Sequence, residues 1–175
     1  MAILSSGPFT IPTSTMDTRD GPLDTRVKDI VQSKSALTEE GGVLTTEPSV
    51  TVYECIDRMV DRDVGSIVVM EGDEIAGIFT ERDYMRSIAL KGRSSDETEV
   101  REVMASDVAT VGPEKPLEEC LHLMTELRCR HLPVVDDEGD LVGIVSIGDG
   151  VKQIVQTAQV ETDRLRKYVT GSYPA

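Results

Sequence analysis

The string GIFTERD at residues 77–83 returns as GIVSIGD at residues 143–149, and the text around each copy is duplicated as well. Cys55 and Met59 stand 65 residues before Cys120 and Met124, whereas Gly77 stands 66 before Gly143. The second copy therefore holds one extra residue between helix and glycine. A chain written twice folds as two similar units, and a unit of about 60 residues is small for an independent core, so the two are expected to pack together.

Each unit reads as strand, helix, strand, strand, helix. A lead-in with apolar residues at helical spacing opens it, Val27-Lys28-Asp29-Ile30-Val31 in one copy and Val100-Arg101-Glu102-Val103-Met104 in the other. A short strand follows, Val43-Leu44-Thr45-Thr46 or Val108-Ala109-Thr110-Val111, then a turn at Pro48 or Pro113. The next helix carries the stripe Val52, Cys55, Ile56, Met59, Val60, with Thr51 and Glu54 as a capping box, or the stripe Leu117, Cys120, Leu121, Met124, Leu127. Two strands joined by an acidic hairpin turn come next, residues 66–79 and 131–145. The closing helices are expected to turn Tyr84, Met85 and Ile88, or Val151, Ile154 and Val155, inward.

On this reading residues 1–26, rich in Ser, Thr, Pro and Gly, are a flexible arm or a cloning remnant; 27–90 is the first repeat, 91–98 a polar linker, 99–157 the second repeat, and 158–175 a helical extension and tail.

Composition narrows the function. With 32 acidic against 18 basic residues the formal charge is −14, a surface that repels phosphodiester backbones and anionic lipids and argues against nucleic-acid or membrane partners. No stretch has the length and apolarity of a membrane span or a secretion leader, so a cytoplasmic location is expected. The three cysteines, Cys55, Cys120 and Cys129, form no zinc-ligand pattern and read as small buried hydrophobes. No metal site is expected. Walker, nucleophile-elbow and zinc-protease motifs are missing, and the two histidines fall in different elements, so no catalytic residue is assigned.

The doubled motif has two readings. Ser or Thr followed three residues later by an acid starts a helix, because hydroxyl and carboxylate satisfy N–H groups that the first turn leaves unpaired. The same groups suit a ligand: a strand-to-helix junction with its hydroxyl favours phosphate, and a carboxylate can accept bonds from the vicinal hydroxyls of a ribose. Thr80 with Asp83 and Ser146 with Asp149 fit both. Arg82, Arg130 and His131 are candidate phosphate contacts, since a guanidinium fork bonds two oxygens at once. Arg130 could instead pair with Glu126, and His131 could simply pack.

The order of elements, the Arg130-His131-Leu132-Pro133-Val134 strand and the two G-h-h-[ST]-x-x-D motifs, h being apolar, resemble a tandem pair of CBS domains, the repeat named after cystathionine β-synthase and also called a Bateman module. Residues 27–157 carry the likeness, and TERDYMRSIALKGRSS is similar to stand-alone CBS-pair proteins of bacteria and plant organelles. The resemblance implies an α/β (α+β) fold of two β-α-β-β-α repeats packed with pseudo-two-fold symmetry into one module. It also implies adenine-nucleotide binding between the repeats, with AMP, ADP, ATP, NAD and S-adenosylmethionine all admissible as regulatory ligands and no cofactor required. The Asp83 site would then meet Ala109 and the Arg130 region, and the Asp149 site Leu44, Gly65 and Ser66. A homodimer is expected through helical faces that include Met85, Ile88, Leu123, Leu127, Ile154 and Val155, with any regulated protein partner unspecified. The rival expectation is a protein-binding scaffold with degenerate nucleotide sites.

Overall fold

A computed structural model describes residues 25–35 and 42–169. Of the expected N-terminal arm only Thr25 and Arg26 fall within it; the end of the tail, 170–175, lies outside. The elements are α1 (Val27–Ser35), β1 (Thr45–Thr46), α2 (Val52–Asp61), β2 (Ser66–Glu71), β3 (Glu74–Thr80), α3 (Glu81–Ser87), α4 (Leu117–Glu126), β4 (His131–Val135), β5 (Leu141–Ser146) and α5 (Ile147–Val169), with short 3₁₀ turns at Ala89–Lys91 and Val100–Glu102.

The α2 capping box forms as expected: the Thr51 hydroxyl accepts from the Glu54 N–H at 3.2 Å, and the Glu54 carboxylate accepts from the Thr51 N–H at 3.3 Å. Val52, Cys55 and Met59 are buried, but Val60 is exposed. At 3.6 residues per turn Val60 lies about 80° round from Val52, beyond the buried face. Leu127, past the last turn of α4, is likewise exposed, while Leu123 takes its place in the interior.

The two hairpins match to the residue. β2 pairs antiparallel with β3 from Ser66↔Thr80, with a bulge at Val69/Met70; β4 pairs with β5 from His131↔Ser146, with a bulge at Val134/Val135. Their edges differ. β1 lies parallel to β2, and the Val68 N–H donates to the Leu44 carbonyl at 3.0 Å. The expected strand at residues 108–111 shrinks to one bridge, Val111↔Val134. Pro133 occupies the place of Val68, and a proline has no N–H for the carbonyl opposite.

The lead-ins cross over. Val27 and Ile30 of α1 are buried with Leu117, Leu132, Val134 and Val145 of the second repeat, and Val100 and Val103 with Val52, Ile67 and Phe79 of the first. This crossing explains the motif glycines. A Cβ on Gly77 would stand within 3.0 Å of Met104 and of the Ala105 carbonyl, and one on Gly143 within 3.0 Å of the Val31 side chain. Each glycine is the seat on which the other repeat's lead-in rests.

The closing helices depart from expectation. Ile88 is buried and Tyr84 packs against the first core, but Met85, Val151, Ile154 and Val155 are exposed. In α5 the inward position belongs to Gly150, where any Cβ would run into Leu121 of α4, so the backbone rather than a valine makes the contact. α5 continues unbroken through the expected extension to Val169.

Candidate functional site

The two motifs place their side chains at the starts of α3 and α5 with nearly the same geometry. Asp83 Oδ2 accepts from the Thr80 N–H at 3.0 Å and its hydroxyl at 2.6 Å; Asp149 Oδ2 accepts from the Ser146 N–H and hydroxyl, both at 2.7 Å. Each hydroxyl in turn accepts from the aspartate N–H at 3.4 Å. The helix-start reading is therefore realised twice. It does not exhaust the carboxylates, because Oδ1 of each has no hydrogen bond among the described residues. An acceptor with two lone-pair directions remains on each, a narrower provision for a diol than the whole carboxylate expected from the sequence.

The surroundings of the two aspartates differ. Beside Asp83, the Arg82 guanidinium donates to the Arg128 carbonyl at 2.9 Å. Arg128, two residues beyond α4, has a left-handed φ of 53°, and this bond ties the start of α3 to the other repeat. The matching position before Asp149 is Gly148, which has no side chain to form such a tie.

Beside Asp149, the Lys34 ammonium lies 2.6 Å from Oδ2 and donates to the Ile144 carbonyl at 3.2 Å. Burial, then the positive charges of Arg130 and Lys34, push the His131 imidazole down to about 4, with Asp149 opposing. The same ring reaches across to the first repeat, its Cε1 lying 3.8 Å from where a Gly65 Cβ would stand, with the Glu81 carboxylate 3.3 Å from that point.

His131 thus joins Gly65 to the Asp149 group. Ser66 is buried opposite Thr80 in the first hairpin, Leu44 is buried in the first core, and Ala109 packs against the second. The side chains of Leu44 and Ala109 are spent on packing, leaving their main chains as the parts that can border a ligand. The Arg130 side chain is exposed and makes no hydrogen bond or ion pair among the described residues, so the pair with Glu126 does not form there. Its carbonyl accepts from the Ile147 N–H at 3.0 Å, as the Gly65 carbonyl does from the Glu81 N–H at 3.3 Å.

A cavity of about 450 Å³ opens next to Asp149 between α1 and α5, with Asp29, Lys34, Lys152 and Gln156 in its wall. Sequence reasoning missed Lys34 and Lys152. Lys34 stands 115 residues from Asp149, in a lead-in assigned to the other repeat, and no local pattern signals that the lead-ins cross. A hollow of about 570 Å³ over Thr45 and Arg58 is lined by neither motif. Among the described residues no group of three or more His, Cys, Asp or Glu side chains is placed to hold a metal, and no helix is long and apolar enough to cross a membrane.

Comparison with known proteins agrees with this architecture. The CBS domain family model matches residues 27–90 and again 100–155. The mitochondrial CBS domain-containing protein CBSX3 of Arabidopsis thaliana is 39% identical over 154 residues, 85% of this chain and 74% of that protein. A candidate signal-transduction protein with CBS domains from Burkholderia ambifaria is 42% identical and superposes with a TM-score of 0.69 over 75% of this chain and 95% of its own. The CBS-domain pair of MJ0100, solved with 5′-methylthioadenosine and S-adenosyl-L-methionine, shares the fold at 23% identity, with a TM-score of 0.62 over 73% of this chain and 98% of its own. Two hairpins that match to the residue, two identically capped motif helices and two family matches in tandem have one explanation: the chain belongs to the CBS-domain family and carries a pair of its repeats.

Proposed function

We propose that this CBS pair is a non-catalytic regulatory module that binds adenosine-containing nucleotides, among them AMP, ADP, ATP, NAD and S-adenosylmethionine, between its repeats and passes the change in their packing to a partner. The observation that carries the reading is the duplicated aspartate, held rigid through Oδ2 and open at Oδ1, at a junction where chain from both repeats meets. The MJ0100 pair, with its two adenosine compounds, supports the capacity of the fold for such ligands. A bound ligand shifts the packing only by its difference in affinity for the two arrangements.

Thr80, Asp83, Arg130 and Ala109 would line one site and Ser146, Asp149, His131, Gly65, Ser66 and Leu44 the other. Arg82 serves the first by tying α3 to the second repeat rather than by holding phosphate. No cofactor enters the reading, and charge sets nucleic acid and anionic membranes aside as partners. Met85, Leu127, Ile154 and Val155, all exposed, supply the apolar face for a homodimer; Ile88 and Leu123, also expected there, belong to the interior. The cytoplasmic location expected from the sequence remains part of this reading.

The test is titration calorimetry and thermal shift of ligand-stripped protein with AMP, ATP, NAD and S-adenosylmethionine. A ligand at 100 times its dissociation constant stabilises the native state by about 2.7 kcal/mol. Asp83→Ala and Asp149→Ala each lose one cap, worth about 0.5–2 kcal/mol, and each abolish the response of one site. Variants that lose stability but keep full ligand response would leave the aspartates as caps alone. A specific observation favours the scaffold alternative in that event: both Oδ2 atoms and Arg82 already have protein partners.

A further inference from the structure

The last turns of α5 run beyond the repeat. The CBS match ends at residue 155, whereas α5 continues to Val169, and every residue from Ala158 to Tyr168 is exposed. A helix in a folded protein draws most of its stability from packing one apolar face. In this segment Gln159 donates to Asp163 at 3.4 Å and Thr162 to the Ala158 carbonyl at 2.8 Å, both along the helix itself. The sequence nevertheless supplies an apolar face. Counting from Ile147, the first residue of α5, steps of four and three residues in alternation land on Val151, Ile154, Ala158, Glu161, Leu165 and Tyr168. Sustained over about three heptads, that spacing is the seam on which a second helix of the same period packs.

The stripe is clear of the contacts α5 makes with its own repeat. Gln153 and Gln156 line the cavity beside Asp149, and Gly150 rests on Leu121; at 3.6 residues per turn the centre of the stripe lies about 160° round from Asp149. Val151, Ile154 and Leu165 are all exposed on it. Val160 is exposed as well, but about 140° away from the stripe. The charges of the tail also choose the direction of a partner. Two copies laid parallel in register would bring Glu161 against Glu161 and the basic run of Arg164, Arg166 and Lys167 against itself. Turned antiparallel with Leu165 on Ile154 of the second copy, the same steps set Tyr168 on Val151 and Glu161 on Ala158, the smallest residue of the stripe. A polar residue at one seam position fixes register in this way. The stripe is therefore complementary to itself: the apolar residues of one tail fall on the apolar residues that the other copy leaves exposed at the start of α5.

We propose that the α5 tail is a clasp for a second copy of this chain, the two α5 helices pairing antiparallel through the stripe from Val151 to Tyr168 with Leu165 of each on Ile154 of the other. The clasp rests on the homodimer of the reading above and names the segment that makes it; it is independent of nucleotide binding.

Sedimentation equilibrium of the full chain at micromolar concentration tests it, and the wild type is expected to be a dimer. Leu165→Glu raises the dissociation constant about 100-fold or more, because a two-fold pair loses the contact twice. Val160→Glu, off the stripe, changes it by less than about 3-fold. Leu165 belongs to neither core, so its variant keeps the fold. Direction is read by mild oxidation. The double variant Ile154→Cys with Leu165→Cys gives a covalent dimer above the level of the wild type, and Leu165→Cys alone does not. The two thiols cannot close within one helix, where positions 154 and 165 stand about 16 Å apart against the roughly 7 Å that a disulfide spans. A dimer indifferent to Leu165→Glu would overturn the clasp and leave a homodimer of the repeats themselves. Crosslinking by Leu165→Cys alone, with no gain in the double variant, would overturn the antiparallel pairing. A monomeric wild type would defeat both the clasp and the homodimer, with nucleotide binding still read separately by calorimetry.

Discussion

The first and second repeats start their closing helices with the same set of hydrogen bonds and seat the other repeat's lead-in on the same glycine, yet the first closes its sheet edge with the peptide of Ala105 and the second with the side chain of Lys34. Equal local sequence gave equal local geometry. What reaches that geometry from outside is set by chain distant in sequence, and there the repeats have diverged: Pro133 against Val68, Gly148 against Arg82, His131 against Ser66, a helix of nine residues against a single 3₁₀ turn. The comparison shows a duplicated frame whose halves are interlocked through their lead-ins and differ in the groups that surround each motif.

The interlock gives the largest expected effect. Phe79 and its counterpart Val145 are both fully buried, one in each core. Phe79→Ala is expected to cost about 3–5 kcal/mol and Val145→Ala about 1.5–3 kcal/mol. Because each core contains the other repeat's lead-in, either variant should still unfold in one urea transition. Two separated transitions would show that the halves are independent.

The crossing itself is probed next. Gly77→Ala and Gly143→Ala each overpack a seat and should cost about 1–3 kcal/mol. The remedy should differ between the halves. Removing the obstructing side chain with Val31→Ala should restore Gly143→Ala, whereas Met104→Ala should relieve Gly77→Ala only in part, since the Ala105 carbonyl remains in the way. Simple additivity in both double mutants would contradict the crossing, because residues in contact couple.

The smallest effect sharpens the electrostatic contrast. The His131 imidazole, held down to about 4 in the folded protein against 6.5 as its reference value, takes up a proton more readily in the unfolded chain. Its contribution is therefore complete above pH 6.5 and is lost as pH falls towards 4. With its partial solvent access this amounts to about 1–2 kcal/mol. The measurement is the urea midpoint of wild type and His131→Gln between pH 7 and pH 4; the difference between the two proteins should change across that window, and parallel curves would remove His131 from the account. Ser66, in the matching position, has nothing to titrate.

Much of the fold could be read from the sequence because its determinants are local. Hydrophobic period placed α2, α4 and the paired strands, and Thr51 with Glu54, Thr80 with Asp83 and Ser146 with Asp149 fixed helix starts through contacts three residues apart. The buried Cys55 and Cys120 followed from the same stripes. The reading failed where a residue's environment comes from far along the chain. Val151, Ile154 and Val155 have the period of a buried face, but Gly150 on Leu121 decides which side of α5 turns inward.

For the candidate site the division is similar. The sequence by itself determined that two aspartates sit one turn into two helices, each with its hydroxyl partner, because the bonds that hold them close within four residues. Only the tertiary structure decided that Lys34 of the first lead-in meets Asp149 of the second repeat, that Arg82 is spent on the Arg128 carbonyl, and that His131 faces Gly65. The lead-ins cross because each repeat's hairpin and helices leave an apolar gap that the other repeat's lead-in fills, and the energy of filling it depends on shape and burial, which no window of sequence contains.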